Sequence, residues 1–141
     1  MKKLVAAACC SIILLAACGD DDDSASSGTS AFCADVTALG SLSKGASDAM
    51  AMQPADAMKD FEALAAKVTA LKANAPADLV AAIDTVAARF TLEAKAESMM
   101  AADPKGGAEE TKMLEDHKAE DDAAMAKLIA AAKSSCNTDI S

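Results

Sequence analysis

Apolar residues recur every three to four positions through most of the chain, a spacing that places them on one face of an α-helix. Two such series stand in the middle: Ala57, Phe61, Leu64, Val68 and Leu71, then Leu79, Ile83, Val86 and Phe90. Two further series flank them: Phe32, Val36 and Leu39 on one side, and on the other Leu114, Ala124, Leu128 and Ala132 with the polar His117 on the same stripe. Each series would bury one side of a helix, so the pattern predicts a helical bundle.

Glycine and proline residues divide these series into four segments. The breaks fall between Gly45 and Pro54, between Asn74 and Pro76, and between Asp103 and Gly107. Proline fits the first turn of a helix, so the second and third helices are expected to begin near Pro54 and Pro76.

The first and last helices are less evenly marked. The first is expected to begin at Ser30, a suitable N-cap, while Gly40 and Gly45 weaken the prediction of helix in its second half. The last is expected to run from about Ala108 to Ser135, with acidic residues in its first turn and a lysine in its last, as the helix dipole favours.

The composition supports helices and gives strands little support. Tyrosine and tryptophan are absent, and alanine makes up about a quarter of the chain, so helix propensity is high throughout. Residues 31–141 are enough for one domain with its own core. The expected fold class is all-α.

The start of the chain has the three-part layout of a secretory signal. Lys2 and Lys3 precede an apolar run, residues 4–15, which small residues follow. The run is shorter than the roughly 20 residues that span a bilayer, so a retained transmembrane helix is the less favoured alternative.

The four residues Leu15-Ala16-Ala17-Cys18 resemble the lipobox of bacterial lipoproteins. The resemblance implies that residues 1–17 are removed, that Cys18 is acylated, and that the protein is lipid-anchored to the cell membrane or outer membrane, facing outside the cytoplasm. The alternative is an ordinary cysteine after a plain secretory cleavage. The mature part also resembles small alanine-rich helical lipoproteins, a class mostly without assigned function.

Residues 18–30 are predicted to be a disordered acidic tether. Four consecutive aspartates, Asp20 to Asp23, precede a run rich in Ser, Gly and Thr, which cannot be buried. Calcium binding by the aspartates is the less favoured alternative, because no loop of known type surrounds them. If the source has two membranes, Gly19 in place of Asp after the cysteine disfavours retention in the inner one, by resemblance to lipoprotein sorting signals.

Loss of the signal changes the charge and the supply of cysteines. Without Lys2 and Lys3, 11 of the 13 basic residues remain beside 22 acidic ones. This negative net charge is unsuited to binding nucleic acid. With Cys18 acylated, Cys33 and Cys136 remain and are predicted to form a disulfide. They would meet only if the number of antiparallel helices is even. The predicted fold is an up-down four-helix bundle closed by one disulfide.

Catalytic chemistry is not indicated. The chain has no recognisable nucleophile and base set, phosphate loop or haem motif, so we expect neither an enzyme nor a cofactor. His117 is expected to be packed, with a ligand role as the alternative. The acidic run Glu115, Asp116, Glu120, Asp121 and Asp122 is interpreted as a solvated helix face.

Two functions remain open. The first is a structural or interaction module that contacts an unknown envelope protein. The alternative is binding of Cu(I) or a small apolar ligand at a methionine-rich end of the bundle, since thioethers suit soft metals and apolar surfaces. The candidate metal-ligating residues are Met50, Met52, Met99, Met100, Met113 and His117. Methionines that merely fill gaps between diverging helices would explain the same pattern.

Overall fold

Within the described part of the chain, five α-helices form the four segments of the bundle. The computed structural model describes residues 24–141, with side chains from Thr29 onward. Its helices are α1 (Ser24–Leu39), α2 (Leu42–Met50), α3 (Pro54–Ala70), α4 (Val80–Ala102) and α5 (Ala108–Cys136). Residues 24–141 contain no strand. The predicted all-α four-helix bundle is confirmed, with α1 and α2 together forming its first segment.

Side-chain contacts show that successive segments are antiparallel. The rings of Phe61 in α3 and Phe90 in α4 stack with centroids 6.3 Å apart, and Met58 and Ser98 line one groove near the start of α3 and the end of α4. The α2–α3 and α4–α5 junctions therefore lie together, and we call this the distal end. The other end holds the disulfide.

The first segment is broken at Gly40. This residue has a φ of 72°, in the left-handed region that often ends a helix and that glycine adopts at little cost. Ser41 then caps α2, because its side-chain oxygen accepts a hydrogen bond from the backbone N–H of Lys44 at 3.1 Å. The chain around Gly40 and Gly45, where the prediction of helix was weak, is thus helical on both sides of the break at Gly40.

Most other helix boundaries agree with the prediction. Pro54 is in the first turn of α3, and a 3₁₀ turn, Ala77–Leu79, follows Pro76 and leads into α4. Helix α5 begins at Ala108. The residue before it is Gly107, on which a Cβ atom would lie only 2.8 Å from the carbonyl oxygen of Ala96. The first boundary was wrong: α1 begins at Ser24 rather than Ser30, because no proline stops the helix from extending upstream of its packed half.

One apolar core runs through the bundle. Its largest fully buried side chains are Phe32, Val36, Leu42, Phe61, Val68, Leu71, Ile83, Val86, Phe90, Leu128 and Ile140. Ile140 belongs to the five residues after α5, which turn at Asn137 with a φ of 50°. Its carbonyl accepts a hydrogen bond from the N–H of Leu42 at 2.9 Å, so the chain end packs against the break between α1 and α2.

Cys33 and Cys136 form a disulfide that joins α1 to the end of α5. The two residues are separated by 103 positions in the sequence, and their Cα atoms are 5.0 Å apart. The predicted covalent closure of the bundle is therefore confirmed.

Several predicted features lie outside the described residues. These are the signal segment 1–17, the acylated Cys18 and the tether up to residue 23. The prediction of disorder was wrong for residues 24–30, which are the first turns of α1. Within residues 24–141, no helix combines the length and apolarity that crossing a membrane requires.

Candidate functional site

Carboxylates are buried between α4 and α5 in the distal half of the bundle. Glu110 and Asp121 of α5 are the buried charged residues of the described chain, with 3% and 7% of their surface exposed. Helix α5 packs chiefly on α4, and α1 meets it at the disulfide end. Burying a carboxylate costs free energy unless an opposite charge or a hydrogen-bond donor accompanies it. The partners of each carboxylate therefore determine whether it is free to bind a ligand.

Glu110 has a partner. One of its carboxylate oxygens is 2.9 Å from the Nζ of Lys95 in α4, while the other has no hydrogen bond. The hydrogen bond from Lys95 is the largest of the effects that lower the pKa of Glu110. This pair therefore stays charged and joins the distal parts of the two helices.

Arg89 is shared between two carboxylates. Its Nε lies 3.0 Å from Oε1 of Glu93, one turn further along α4, and its Nη1 lies 3.6 Å from Oδ1 of Asp122 in α5. Burial raises the pKa of Glu93, an effect that the hydrogen bond from Arg89 opposes. The guanidinium group of Arg89 is thus paired with the carboxylates of Glu93 and Asp122.

Asp121 has no such partner. Its carboxylate makes no hydrogen bond and no ion pair with any residue that the structure describes. Burial raises the pKa of Asp121, the nearby charges of Arg89 and His117 lower it, and those of Glu120 and Asp122 raise it further. Asp121 is thus an unpaired carboxylate on a residue that exposes 7% of its surface.

Asp121 opens onto grooves on both sides of the helix pair. The larger, which we call the α4–α5 groove, has a volume of about 690 Å³, and its wall includes Ala88, Leu92, Met113, His117, Glu120 and Asp121. The smaller has a volume of about 200 Å³ and is lined by Leu114 and Lys118 among others. The larger volume falls within the range of small-molecule sites, roughly 300–1,000 Å³.

The candidate metal ligands are only partly brought together. Met113 and His117 line the α4–α5 groove. Met50 ends α2, Met52 is in the turn between α2 and α3, and Met99 is exposed near the end of α4. Met100 is half-buried beside Gly107. Among the described residues, no group of three or more His, Cys, Asp or Glu side chains is placed to hold a metal ion. Cu(I) binding by the methionines stays a prediction.

Two sequence interpretations of α5 were wrong. His117 was placed on the inward stripe, but its side chain is 59% exposed and lies 3.6 Å from Glu120. Asp121 was assigned to a solvated face, yet it is buried, whereas the other four acidic residues of that run are exposed. A signal for Asp121 was present, because it stands seven residues after Leu114 and seven before Leu128 on the same helix face.

We expect Asp121→Asn to raise the free energy of unfolding at pH 7 by about 1 kcal/mol, because a neutral amide is easier to bury than an unpaired carboxylate. Burial raises the folded-state pKa of Asp121 above its ordinary value of 3.8, so ionisation costs stability as the pH rises past that value. The difference between wild type and variant should therefore vanish as the pH falls below about 4.

Urea denaturation across this pH range measures the effect. Asp116→Asn is the matched control, since Asp116 is exposed on the same helix and paired with Lys112, and it should change stability by less than about 0.5 kcal/mol. A loss of stability at pH 7 in Asp121→Asn would contradict the expectation that ionisation of Asp121 destabilises the folded protein.

No protein-family model, no curated protein and no solved structure matches the chain.

Proposed function

We propose that this protein is a lipid-anchored, extracytoplasmic module of the cell envelope that presents the distal end of its bundle to a protein partner. The lipobox-like Leu15-Ala16-Ala17-Cys18 supports the anchor. The observation that carries the partner role is the exposure of four methionines near the distal end. The proposal assigns the protein no catalytic step.

The direction of α1 relates the anchor to the bundle. Cys33 of α1 is bonded to the end of α5, and α1 runs antiparallel to α5, so the first turns of α1 extend from the disulfide end. Cys18 precedes the start of α1 by six residues. An acylated Cys18 would keep the disulfide end near the membrane and leave the distal end facing away from it.

The exposed methionines form what we call the distal methionine surface: Met50, Met52, Met99 and Met113, with between 41% and 67% of their surface exposed. Met50 is the last residue of α2, Met52 is in the turn that follows, and the other two are near the α4–α5 junction. Methionine side chains are unbranched and polarisable, and they adapt to varied apolar surfaces. Exposed apolar groups near one end favour a protein-binding role.

Site-specific photo-crosslinking in intact cells tests the partner role. We expect a crosslinker at Met113 to capture one discrete envelope protein, because the distal end is the side that meets the partner. The matched control is Ser134, which is also exposed on α5 but lies at the disulfide end. Equal capture from both positions, or no capture from Met113, would reject the proposal.

A further inference from the structure

We propose that the α4–α5 groove binds a small amphipathic amine, with its ammonium group on Asp121 and its hydrocarbon part against Ala88, Leu92 and Met113. This inference does not depend on the protein partner proposed above. It rests on an unpaired charge, on the apolar wall beside that charge, and on the volume of the groove.

The sign of the unpaired charge selects a cation. Arg89, one of the basic residues of the groove, is bound by Glu93 and Asp122, and the other, Lys95, is bound by Glu110. Glu120 also carries a charge, but its side chain is 70% exposed and therefore solvated. The remaining buried charge on the wall is Asp121, which exposes 7% of its surface and has no hydrogen-bond or ion-pair partner among the described residues.

A bound cation would remove the cost of this arrangement. Asp121 exposes 7% of its surface, so its carboxylate loses part of its hydration and receives no hydrogen bond from the described residues in exchange. An ammonium group that reaches it from the groove supplies both the opposite charge and the missing hydrogen-bond donors. The protein alone leaves these acceptor positions open.

The groove wall favours an apolar body on that cation. Ala88 and Leu92 of α4 and Met113 of α5 line the groove beside Asp121, and the Met113 side chain is 42% exposed. A hydrocarbon chain lying on these residues would remove apolar surface from water on both molecules. The volume of about 690 Å³ accommodates a small molecule.

The lining also selects among cations. None of the residues that line the groove is Trp, Tyr or Phe, so it lacks the rings that recognise quaternary ammonium groups. A carboxylate that needs donors is better matched by a primary ammonium, which has three N–H groups on a compact charge. A primary amine with a hydrocarbon chain is therefore the ligand class that fits.

Binding of n-octylammonium, followed by NMR and calorimetry, tests the proposal. The full chain with Cys18→Ala is used, so that neither acyl chains nor detergent compete for the groove. We expect saturable binding with shifts of the Leu92 and Met113 methyl signals. Asp121→Asn should bind about ten- to a hundredfold more weakly, as expected for loss of a charge-assisted hydrogen bond.

Controls separate the charge from the apolar contact. Asp116→Asn makes the same change of charge at an exposed position of α5 and should bind like wild type. Octyltrimethylammonium, which lacks N–H donors, and octanol, which lacks charge, should both bind more weakly than n-octylammonium. The proposal is overturned if octanol binds as tightly as the amine, or if Asp121→Asn keeps wild-type affinity.

Discussion

Replacing Cys33 and Cys136 together by alanine should lower the free energy of unfolding by about 3 to 5 kcal/mol. The disulfide closes a loop of more than 100 residues, and in the chain-entropy model a loop of about that length contributes up to roughly 4.7 kcal/mol. A typical domain is stable by only about 5 to 15 kcal/mol. Alanine-rich helices bury little apolar area each, so the cross-link is a large share of the total.

Thermal denaturation checks this expectation. The melting temperature should fall by more than about 10 °C, since each kcal/mol corresponds to several degrees in a domain of this size. Reduced wild-type protein is the matched control, because it keeps both sulfur atoms and loses only the cross-link. A shift of less than about 3 °C on reduction would show that packing at the disulfide end holds α1 and α5 together unaided.

Replacing Cys18 by alanine should abolish lipid labelling and move the protein from the membrane fraction to the soluble fraction. No helix of residues 24–141 is long and apolar enough to span a membrane, and the mature chain carries 22 acidic residues against 11 basic ones, so anionic headgroups would repel it. Attachment would then rest on the acyl chains alone, several of which are needed for durable binding.

Metabolic labelling with a radioactive fatty acid and cell fractionation measure this effect. Cys10→Ala is the matched control, because Cys10 lies inside the apolar run and is expected to be removed with the signal. That variant should be labelled and fractionate like wild type. Continued membrane attachment of Cys18→Ala would contradict the lipoprotein proposal while leaving the fold and the α4–α5 groove unaffected.

The helices could largely be predicted because their boundaries depend on local chemistry. Pro54 starts α3 and Gly107 precedes α5, in agreement with what their backbones allow. The start of α1 could not be placed in the same way. Ser24 and the small polar residues after it neither favour nor forbid a helix strongly, and the packed part of α1 lies further along the chain.

The site could not be predicted because its character depends on which helix faces which. Periodicity identified the face of α5 that carries Leu114 and Leu128, but burial of Asp121 follows from packing of that face on α4. His117 is only about one turn from Asp121, yet it is exposed at the edge of the same contact. The predicted stripe of α5 included His117 and left out Asp121, whereas the helix packs chiefly on α4 with Asp121 in the contact.

The disulfide also determines how the molecule would respond to mechanical load. A pull on the chain before α1 reaches Cys33 and passes through a covalent bond to Cys136, so the force enters α5 directly. In a tethered bundle of this design, the disulfide would give tension from the membrane side a covalent route into α5 beside the backbone route through α1.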